Sequence, residues 1–387
     1  EMTSSLVGSE MCIRDSSIAV RIVEGRAYDT TYLVAYVTVA DASQIRTTVA
    51  GRHNSEDTVR GAVMAKRVNA VLAINGDYCG FHNNGVIIRG GELFRKQNSA
   101  RQMLIVDKNG DLSVLVDRSE KQGVVADRLM EEGVLHTFEF GPTLVENGQA
   151  VEMDSAIVRV EDGYLEPRTA IGQLGPLHYL VIVVDGRSEG YSEGCDLPTL
   201  QQLFLDHGAQ IAFNLDGGGS TAMSVWVPGQ TGPAVVNRPS DGKPRNCATY
   251  LLLVSDDAGD GRPSRLALKQ DGLVVLAGSS VDLGEALCMD SGLNPVNASA
   301  QDVIMRSQSG LGTVDGTVYT AGLRPGTDTI DLYSPSTGAA GSAQVHVVDR
   351  LTELTIQRTD TGRDAASLTV KPGQQIPLSA FGSYWSL

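Results

Sequence analysis

The 387-residue sequence predicts an α+β domain with a β-sheet core and few helices, followed by an all-β sandwich. Up to about residue 254, apolar runs rich in β-branched residues outnumber the stretches with helical spacing. From about residue 265, short strand-like runs recur between Gly, Ser, Asp and Asn turns, and none of them has helical spacing. A content of 43 glycines and 5% aromatic residues suits such a strand- and turn-rich architecture.

The first domain alternates predicted strands with a few short helices. One helix is predicted at about 55–69 with Ser55 as its N-cap, and another at 125–132. Asp196 is expected to cap a third helix, which Gly208 ends. Strands are predicted at 18–23, 31–39, 70–75, 103–106, 112–116, 134–140, 177–184, 211–215 and 248–254.

Changes in composition divide the chain into segments. Residues 1–16 have no regular hydrophobic period, and we expect them to be a non-native leader. The domain of residues 17–256 is followed by a linker at 257–264, which has the composition of a turn. Residues 265–349 predict an immunoglobulin-like sandwich. Residues 350–387 repeat its opening pattern, which indicates the truncated start of a second immunoglobulin-like repeat.

The charge and the metal-binding residue types exclude several classes of function. A formal net charge of −15 argues against nucleic acid and anionic membranes as main partners, because both repel such a surface. No apolar run of about eighteen residues is present, so no transmembrane segment is predicted. The five cysteines form no CxxC pair and the six histidines no HExxH motif, so zinc sites of those types are not supported.

Three apolar strands each end in a turn that contains a carboxylate and at least one glycine. The turns are NGD at residues 75–77, DGR at 185–187 and DGGGST at 216–221. Asp and Gly are also ordinary turn formers, and any one of these turns alone favours that interpretation. The three together favour a functional site at the strand ends.

The glycine run after Asp216 predicts an anion-binding turn. Consecutive glycines allow backbone N–H groups to converge on an anion, and Ser220 adds a hydroxyl donor. The lysine of a phosphate-binding P-loop is absent. The alternative is close backbone packing where the strand ends.

Arginines in polar, turn-flanked segments supply the positive charge that an anionic substrate would need. A guanidinium can hold phosphate through two parallel hydrogen bonds, although each arginine alone is more often part of a surface ion pair. The loop at residues 237–240 could line the same cleft. The candidate arginines are Arg89, Arg168, Arg187 and Arg245.

Eight segments between about residues 18 and 254 follow one another in the order expected of a known family. They are AINGDY (73–78), GVIIRGGELF (85–94), FGPTLVENGQ (140–149), PRTAIGQ (167–173), VVDGRSEGYSEG (183–194), NLDGGGSTAM (214–223), VVNRPSDG (235–242) and RNCATYLLLV (245–254). NLDGGGS with an upstream DGR is fairly specific, and together the segments resemble the phosphodiester glycosidase family. The resemblance is greatest to bacterial members associated with exopolysaccharide metabolism.

The resemblance implies hydrolysis of a sugar-1-phosphodiester at the anomeric C–O bond, which releases a free sugar (N-acetylglucosamine is one candidate) and a phosphomonoester. Such a catalytic domain needs to anchor the anion and to activate water or form a glycosyl intermediate. We expect Asp216 and Asp77 to be the central carboxylates, with Asp185 and Glu193 in reserve. The expected substrate-binding residues, with Arg168 and Arg187 first for phosphate, are Asn75, Arg89, Arg168, Thr169, Arg187, Gly217, Gly218, Gly219, Ser220, Asn237 and Arg245.

The resemblance fixes no cofactor, although some of these carboxylates could hold Ca²⁺ or Mg²⁺. The expected partner is a phosphodiester-linked glycan outside the cell or on its surface, to which the immunoglobulin-like tail would attach the enzyme. Two alternatives stay open. One is a metal-dependent phosphodiesterase that breaks the P–O bond, which the few histidines disfavour. The other is a non-catalytic surface protein that binds glycan and phosphate.

Overall fold

The computed structural model is rich in β-structure, with three α-helices among its described residues. No helix in this part of the chain is long and apolar enough to cross a membrane. The chain divides into a larger unit, Met11–Arg262 with Asp290–Pro295, and a smaller unit that contains Pro263–Met289 and Val296–Leu387. The structure describes residues 10–14, 17–27, 29–50, 57–77, 79–81, 84–97, 99–116, 119–153, 164–227, 232–268, 273–296, 302–351, 353–358, 373 and 375–383.

The helices are short and the strands are many. The helices are α1 (Gly61–Arg67), α2 (Gln122–Glu131) and α3 (Leu197–Asp206). The strands, in chain order, are β1 (Glu10–Arg14), β2 (Ile18–Ala27), β3 (Thr30–Val39), β4 (Ile45–Val49), β5 (Val59–Arg60), β6 (Ala70–Asn75), β7 (Val86–Arg89), β8 (Glu92–Lys96), β9 (Gln102–Val106), β10 (Leu112–Leu115), β11 (His136–Phe140), β12 (Thr143–Glu146), β13 (Gln149–Ala150), β14 (Arg168–Gly175), β15 (His178–Val184), β16 (Ile211–Asn214), β17 (Met223–Val225), β18 (Ala234–Val235), β19 (Asn246–Cys247), β20 (Thr249–Val254), β21 (Arg265–Leu268), β22 (Leu273–Leu276), β23 (Ser280–Asp282), β24 (Ala286–Met289), β25 (Ile304–Ser307), β26 (Gly312–Asp315), β27 (Val318–Ala321), β28 (Gly326–Tyr333), β29 (Ala340–Val348), β30 (Glu353–Arg358) and β31 (Leu378–Ser383).

The larger unit is built on three main sheets. The first has the order β1-β2-β3-β15-β14-β16-β12-β13, the second β10-β9-β11-β7-β8, and the third β18-β17-β6-β20-β4. Neighbours such as β3 and β15, or β14 and β16, run antiparallel. Strands β6 and β20 are buried at every position, in agreement with their continuous apolar sequence. These buried strands form a rigid frame, and the site described below lies at their ends.

The structure confirms the predicted start of one helix and shows that the predicted start of another is wrong. The carboxylate of Asp196 caps α3 by accepting a hydrogen bond from the backbone N–H of Thr199 at 2.9 Å, as the sequence predicts. The prediction of a helix across 55–69 is wrong at Val59, because Val59–Arg60 pairs with Asn246–Cys247 as a strand and α1 begins only at Gly61. The proposed cap, Ser55, lies outside the described residues.

The beginning of the chain contributes a strand to the first sheet. Glu10–Arg14, within the segment that is predicted to be a non-native leader, forms the edge strand β1 of the eight-stranded sheet, and the origin of that segment stays a prediction. The side chain of Ile13 is buried there, with 1% exposure.

The smaller unit has two sheets around one apolar core. A six-stranded sheet contains β21, β24, β25, β28 and β29 with β22 attached, and a three-stranded sheet has the order β23-β27-β26. Its core joins Leu266 and Ile330 of the first sheet to Tyr319 of the second. The described residues of 265–349 contain no helix, as predicted. The immunoglobulin-like assignment stays a prediction, and most of the proposed second repeat at 350–387 lies outside the described residues.

Candidate active site

The pairing of β14 with β15 assigns the predicted site residues to two faces of the eight-stranded sheet. Val183 pairs with Thr169, and directly paired residues point to the same face. Because side chains alternate along a strand, Asp185 shares that face with Val183 and Thr169. We call it the site face. Arg168 pairs with Val184 and points to the opposite face, against which α3 packs.

Asn75 joins the ends of three strands beneath the site face. Its side-chain oxygen accepts hydrogen bonds from the Thr169 hydroxyl at 2.8 Å and from the Ala222 N–H at 3.3 Å. Its side-chain nitrogen donates to the backbone carbonyl of Asp216 at 2.5 Å. Asn75 is 1% exposed, so its role is to fix the turn that carries Asp216. The structure therefore brings together Asn75, Thr169 and Asp216, as the sequence predicts.

Asp216 has a partly buried carboxylate at the exit of β16. Its backbone N–H donates to the carbonyl of Gly76 at 3.3 Å, which joins the turn after β16 to the turn after β6. Its Oδ1 accepts a hydrogen bond from the N–H of Gly217 at 3.0 Å. Burial raises the pKa of Asp216, while hydrogen bonds from Ser220 and Gly217 and the charge of Arg245 act in the opposite direction.

The glycines after Asp216 let two guanidinium groups lie against the turn. Gly218 has a φ of +59°, and a Cβ there would lie 3.2 Å from Nη2 of Arg187. A Cβ at Gly219 would overlap the guanidinium of Arg245. Only residues without a side chain allow both cations to approach this backbone.

The backbone amides of this turn differ from the predicted anion nest. The N–H of Gly217 donates to the Asp216 carboxylate, and the N–H of Gly218 donates to the carbonyl of Pro167 at 2.8 Å. The prediction that these two amides receive the anion is therefore wrong, because both already have partners within the protein. The positive charge at this turn comes from the guanidinium groups instead.

Each of these two arginines is held by one carboxylate and remains about half exposed. Arg187 Nε donates to Glu166 Oε2 at 2.6 Å, and the Arg187 side chain is 45% exposed. Arg245 Nε pairs with Asp241, and the Arg245 side chain is 49% exposed. The hydrogen bond that Arg245 donates to the Asp241 carboxylate raises the pKa of Arg245. A guanidinium has five N–H donors, so each arginine keeps N–H groups for a ligand.

Asp77 and Arg89 form a closed ion pair in the interior. Arg89 Nη2 lies 3.2 Å from Asp77 Oδ1, and the two side chains are 3% and 2% exposed respectively. Asp77 also accepts hydrogen bonds from the Glu139 N–H at 3.0 Å and the Thr249 hydroxyl at 3.1 Å. Arg89 donates to the carbonyl of Thr137 as well. The structure brings these two predicted residues together with each other but does not present Arg89 to a ligand.

Arg168 is directed away from the other candidates. Its Nε donates to the carbonyl of Cys195 at 3.0 Å, and its Nη2 donates to the carbonyl of Tyr164 at 3.1 Å. Burial lowers the pKa of its guanidinium. Because it lies on the face opposite Thr169, the structure does not bring Arg168 to Asp216. Its observed contacts tie two loops to the strand.

Asp185 organises a second group of loops on the site face. Its carboxylate accepts hydrogen bonds from Asn237 Nδ2 at 2.8 Å, from the Tyr191 hydroxyl at 3.0 Å and from the Arg238 N–H at 3.0 Å. Burial raises the pKa of Asp185 and these donors oppose the rise. Glu193, the other reserve carboxylate, has an exposed side chain.

Sequence reasoning missed two carboxylates of this region. Glu166 holds Arg187, and Glu24 on β2 faces Asp185 from the N-terminal hairpin. The signal for Glu24 was available, because it continues the alternating register of Ile18, Val20 and Ile22, all of which are buried. A carboxylate in that register is expected at a site or in an ion pair.

Metal ligation and a surface cavity were each compared with the positions of these residues. Among the described residues, no three His, Cys, Asp or Glu side chains are grouped so that they could hold a metal ion. A surface cavity of about 450 Å³ lies beside α1 and contains none of the predicted residues. Its lining is Ala62, Val63, Lys66, Arg67, Gly232 and Pro233.

The larger unit contains a segment that is similar to a known family. Residues 68–254 match the model of the family described as phosphodiester glycosidase. The chain is 33% identical over 211 residues to the SPbeta prophage-derived uncharacterized protein YomE of Bacillus subtilis (strain 168), which covers 51% of this chain and 30% of that protein. The chain thus spans less than a third of the length of this relative.

Part of the chain is also similar to solved structures at low sequence identity. The catalytic domain of zebrafish N-acetylglucosamine-1-phosphodiester alpha-N-acetylglucosaminidase, auto-inhibited by its pro-peptide, is 20% identical with a TM-score of 0.47. That match covers 64% of this chain and 88% of the zebrafish chain. A hypothetical protein from Synechocystis is 13% identical with a TM-score of 0.40, and the match covers 61% of this chain and 62% of that one.

Proposed function

We propose that this protein hydrolyses a sugar-1-phosphodiester at the anomeric C–O bond and releases a free sugar and a phosphomonoester. One observation carries the proposal: the guanidinium groups of Arg187 and Arg245 lie against the Gly217–Gly219 turn, and the charge of Arg245 acts on the carboxylate of Asp216, which begins that turn. Guanidinium groups bind phosphate through charge-assisted hydrogen bonds, and glycosidases place a carboxylate at the anomeric carbon. The family match over residues 68–254 supports the same chemistry.

Each group at this turn has a distinct task in the proposed reaction. As the C1–O bond breaks, its electron pair moves to the phosphate oxygen, and Arg187 and Arg245 stabilise the negative charge that develops there. Asp216 faces the anomeric carbon, where positive charge develops, and stabilises it as an ion-pair partner or as a nucleophile. Asn75 and Thr169 act indirectly, because they hold the backbone of the turn in place.

The proposal is tested with a panel of synthetic sugar-1-phosphodiesters, including N-acetylglucosamine, glucose and galactose derivatives, scored for free sugar. We expect Asp216→Asn to lower kcat/KM by about a hundredfold or more, the scale for loss of a catalytic carboxylate. Asp127→Asn is the matched control, because Asp127 is an exposed carboxylate that pairs with Lys96 on the surface. Wild-type rates in the Asp216→Asn variant would remove Asp216 from the site.

Isotope labelling separates the proposed reaction from P–O cleavage. In ¹⁸O-labelled water, cleavage at C1 places the label in the sugar, whereas label in the phosphate would show a phosphodiesterase. A protein that binds the panel compounds without hydrolysing any of them would be a binding protein.

We further propose that the natural substrate is a glycan outside the cell or on its surface, and that the smaller unit attaches the enzyme there. The acidic net charge of −15 agrees with a substrate recognised by a few local arginines instead of a generally basic surface. Fractionation of cells that produce the full-length protein, followed by immunodetection, tests this location. Recovery of all the protein in the cytoplasmic fraction would contradict it.

A further inference from the structure

We propose that Glu24, on the N-terminal strand β2, is the base that takes the proton of the attacking water, an inference that rests on the proposed hydrolysis. Glu24 pairs with Leu33 on β3, and Leu33 pairs with Val183 on β15. Directly paired residues point to the same side of a sheet, so Glu24 lies on the site face with Asp185. It is outside residues 68–254, which match the family model.

The surroundings of Glu24 form a polar cluster with defined contacts. Tyr191 donates its hydroxyl to Asp185 at 3.0 Å, and the guanidinium of Arg238 lies 4.3 Å from the centre of the Tyr191 ring. Arg26, two residues along β2, donates to the Tyr191 carbonyl at 2.5 Å. Tyr191 and Asp185 thus follow β15, Arg238 comes from a separate loop, and Arg26 shares the strand of Glu24. The charges of Asp185, Arg238 and Arg26 act on the pKa of Glu24, and the charge of Glu24 in turn raises the pKa of Tyr191.

This cluster is connected to the Gly217–Gly219 turn by a short segment. Asp185 and Arg187 are two residues apart, and the Arg187 guanidinium lies against Gly218. Asn237 also contacts both regions, since its side-chain nitrogen donates to Asp185 at 2.8 Å and to the carbonyl of Thr221 at 3.3 Å. A substrate whose phosphate contacts Arg187 therefore has the Asp185 loop beside it.

Glu24 and Asp185 differ in their capacity to exchange a proton. The Asp185 carboxylate is buried and accepts three kinds of donor, so a change in its protonation would disrupt those contacts. Glu24 is only partly buried. Burial and the nearby charge of Asp185 raise the pKa of Glu24 to about 7, against the opposing charges of Arg238 and Arg26. A base is most effective when its pKa lies near the working pH.

The chemistry of the leaving group explains why a base is the required partner. A phosphomonoester leaves without being protonated, so the one obligatory proton transfer is from water. In the proposed step a lone pair of the water oxygen forms the bond to C1, while an O–H bond of that water breaks and leaves its electron pair on the oxygen. The C1–O bond to phosphate breaks with its pair retained on the phosphate oxygen. Glu24 accepts the proton and later returns it to solvent, while Asp185 acts as a positioning residue.

The test compares kcat/KM against pH for the full-length protein and its variants on a sugar-1-phosphodiester. Wild-type activity is expected to rise as the pH passes about 7, where Glu24 becomes ionised. Glu24→Gln should lower kcat/KM by about a hundredfold or more, and the variant should no longer show the increase in activity near pH 7. The matched control is Glu131→Gln, an exposed carboxylate at the end of α2 that should keep the wild-type profile.

Chemical rescue guards against a variant that only folds poorly. Glu24→Ala leaves space at the carboxylate, and added formate should restore part of its activity, whereas Glu131→Ala should show no response. A Glu24→Gln variant with the wild-type rate and pH profile, or a Glu24→Ala variant that is inactive but indifferent to formate, would overturn the base role while the proposed function stands. A wild-type protein that hydrolyses none of the panel overturns both.

Discussion

Two acidic turns of the larger unit have similar sequences and opposite environments. At the exit of β6, Asp77 is paired with Arg89, and their side chains are 2% and 3% exposed respectively. At the exit of β16, Asp216 begins a glycine turn against which Arg187 and Arg245 lie, with side chains that are 45% and 49% exposed. The first pair is satisfied within the protein, and the second group is open to a ligand. The difference indicates that an acidic strand exit alone does not mark a catalytic carboxylate.

The largest effect that we expect from this comparison is on stability, at the closed pair. Arg89→Met would leave the Asp77 carboxylate buried without its counter-charge, which typically costs about 3–5 kcal/mol of unfolding free energy. Urea denaturation of the variant against wild type measures this loss. The same substitution at the open turn, Arg245→Met, should change the free energy of unfolding by less than about 1 kcal/mol, because that arginine is half exposed.

A double substitution sharpens the interpretation of the closed pair. Asp77→Leu combined with Arg89→Met removes both charges, so most of the stability lost in the single variant should return. A loss below about 1 kcal/mol for Arg89→Met would contradict the assignment, since it would mean that the pair is not desolvated.

The next effect concerns ligand binding at the open turn. Arg187→Ala should raise KM for a phosphodiester by about tenfold to a hundredfold, since a charge-assisted hydrogen bond contributes about 1.5–3 kcal/mol. Steady-state kinetics with the synthetic substrate measure it. Arg128→Ala is the control, because Arg128 is a comparably exposed arginine, paired with Glu120 next to α2. An unchanged KM for Arg187→Ala would show that phosphate binds elsewhere.

The sequence predicts where the site lies better than which residues face it. Continuous apolar runs predict β6, β15 and β16, and Asn75 at the end of β6 does contact the turn after β16 and the neighbouring strand β14. Arg168 and Thr169 are adjacent in sequence, yet alternation puts them on opposite faces of the sheet. Which face carries the site depends on the register with β15 and on the packing of α3, and both are set by contacts between distant segments.

The ends of the elements show the same dependence on tertiary contacts. Val59–Arg60 has residues compatible with a helix, but its pairing with Asn246–Cys247 makes it a strand. Glu24 gives the opposite lesson, because its place in the register of Ile18, Val20 and Ile22 was readable from the sequence. What the sequence could not show is that Asp185 and Arg238, which follow it by more than a hundred and fifty residues, would surround it.

The smallest effect tests Glu24, which is intermediate between the closed pair and the open turn. The folded protein raises the pKa of Glu24 from 4.5 to about 7, so the native state binds more protons than the unfolded state between these values. The contribution of Glu24 to the free energy of unfolding of the wild type should therefore fall as the pH rises from about 4.5 to 7, and it should be constant above pH 7. Glu24→Gln removes this contribution. At pH 8 the variant should be more stable than wild type by on the order of 1–3 kcal/mol, since one pKa unit corresponds to about 1.4 kcal/mol.

At pH 4 the two proteins should unfold at the same urea concentration, because Glu24 is protonated in both states of the wild type. Glu131→Gln should show no pH-dependent difference, since the Glu131 side chain is exposed. If Glu24→Gln were less stable than wild type at pH 8, the ionised carboxylate would be held by Arg26 and Arg238 in a stabilising ion pair. Glu24 would then resemble Asp77, a carboxylate that is held in an ion pair within the protein, and it would not be available as a base.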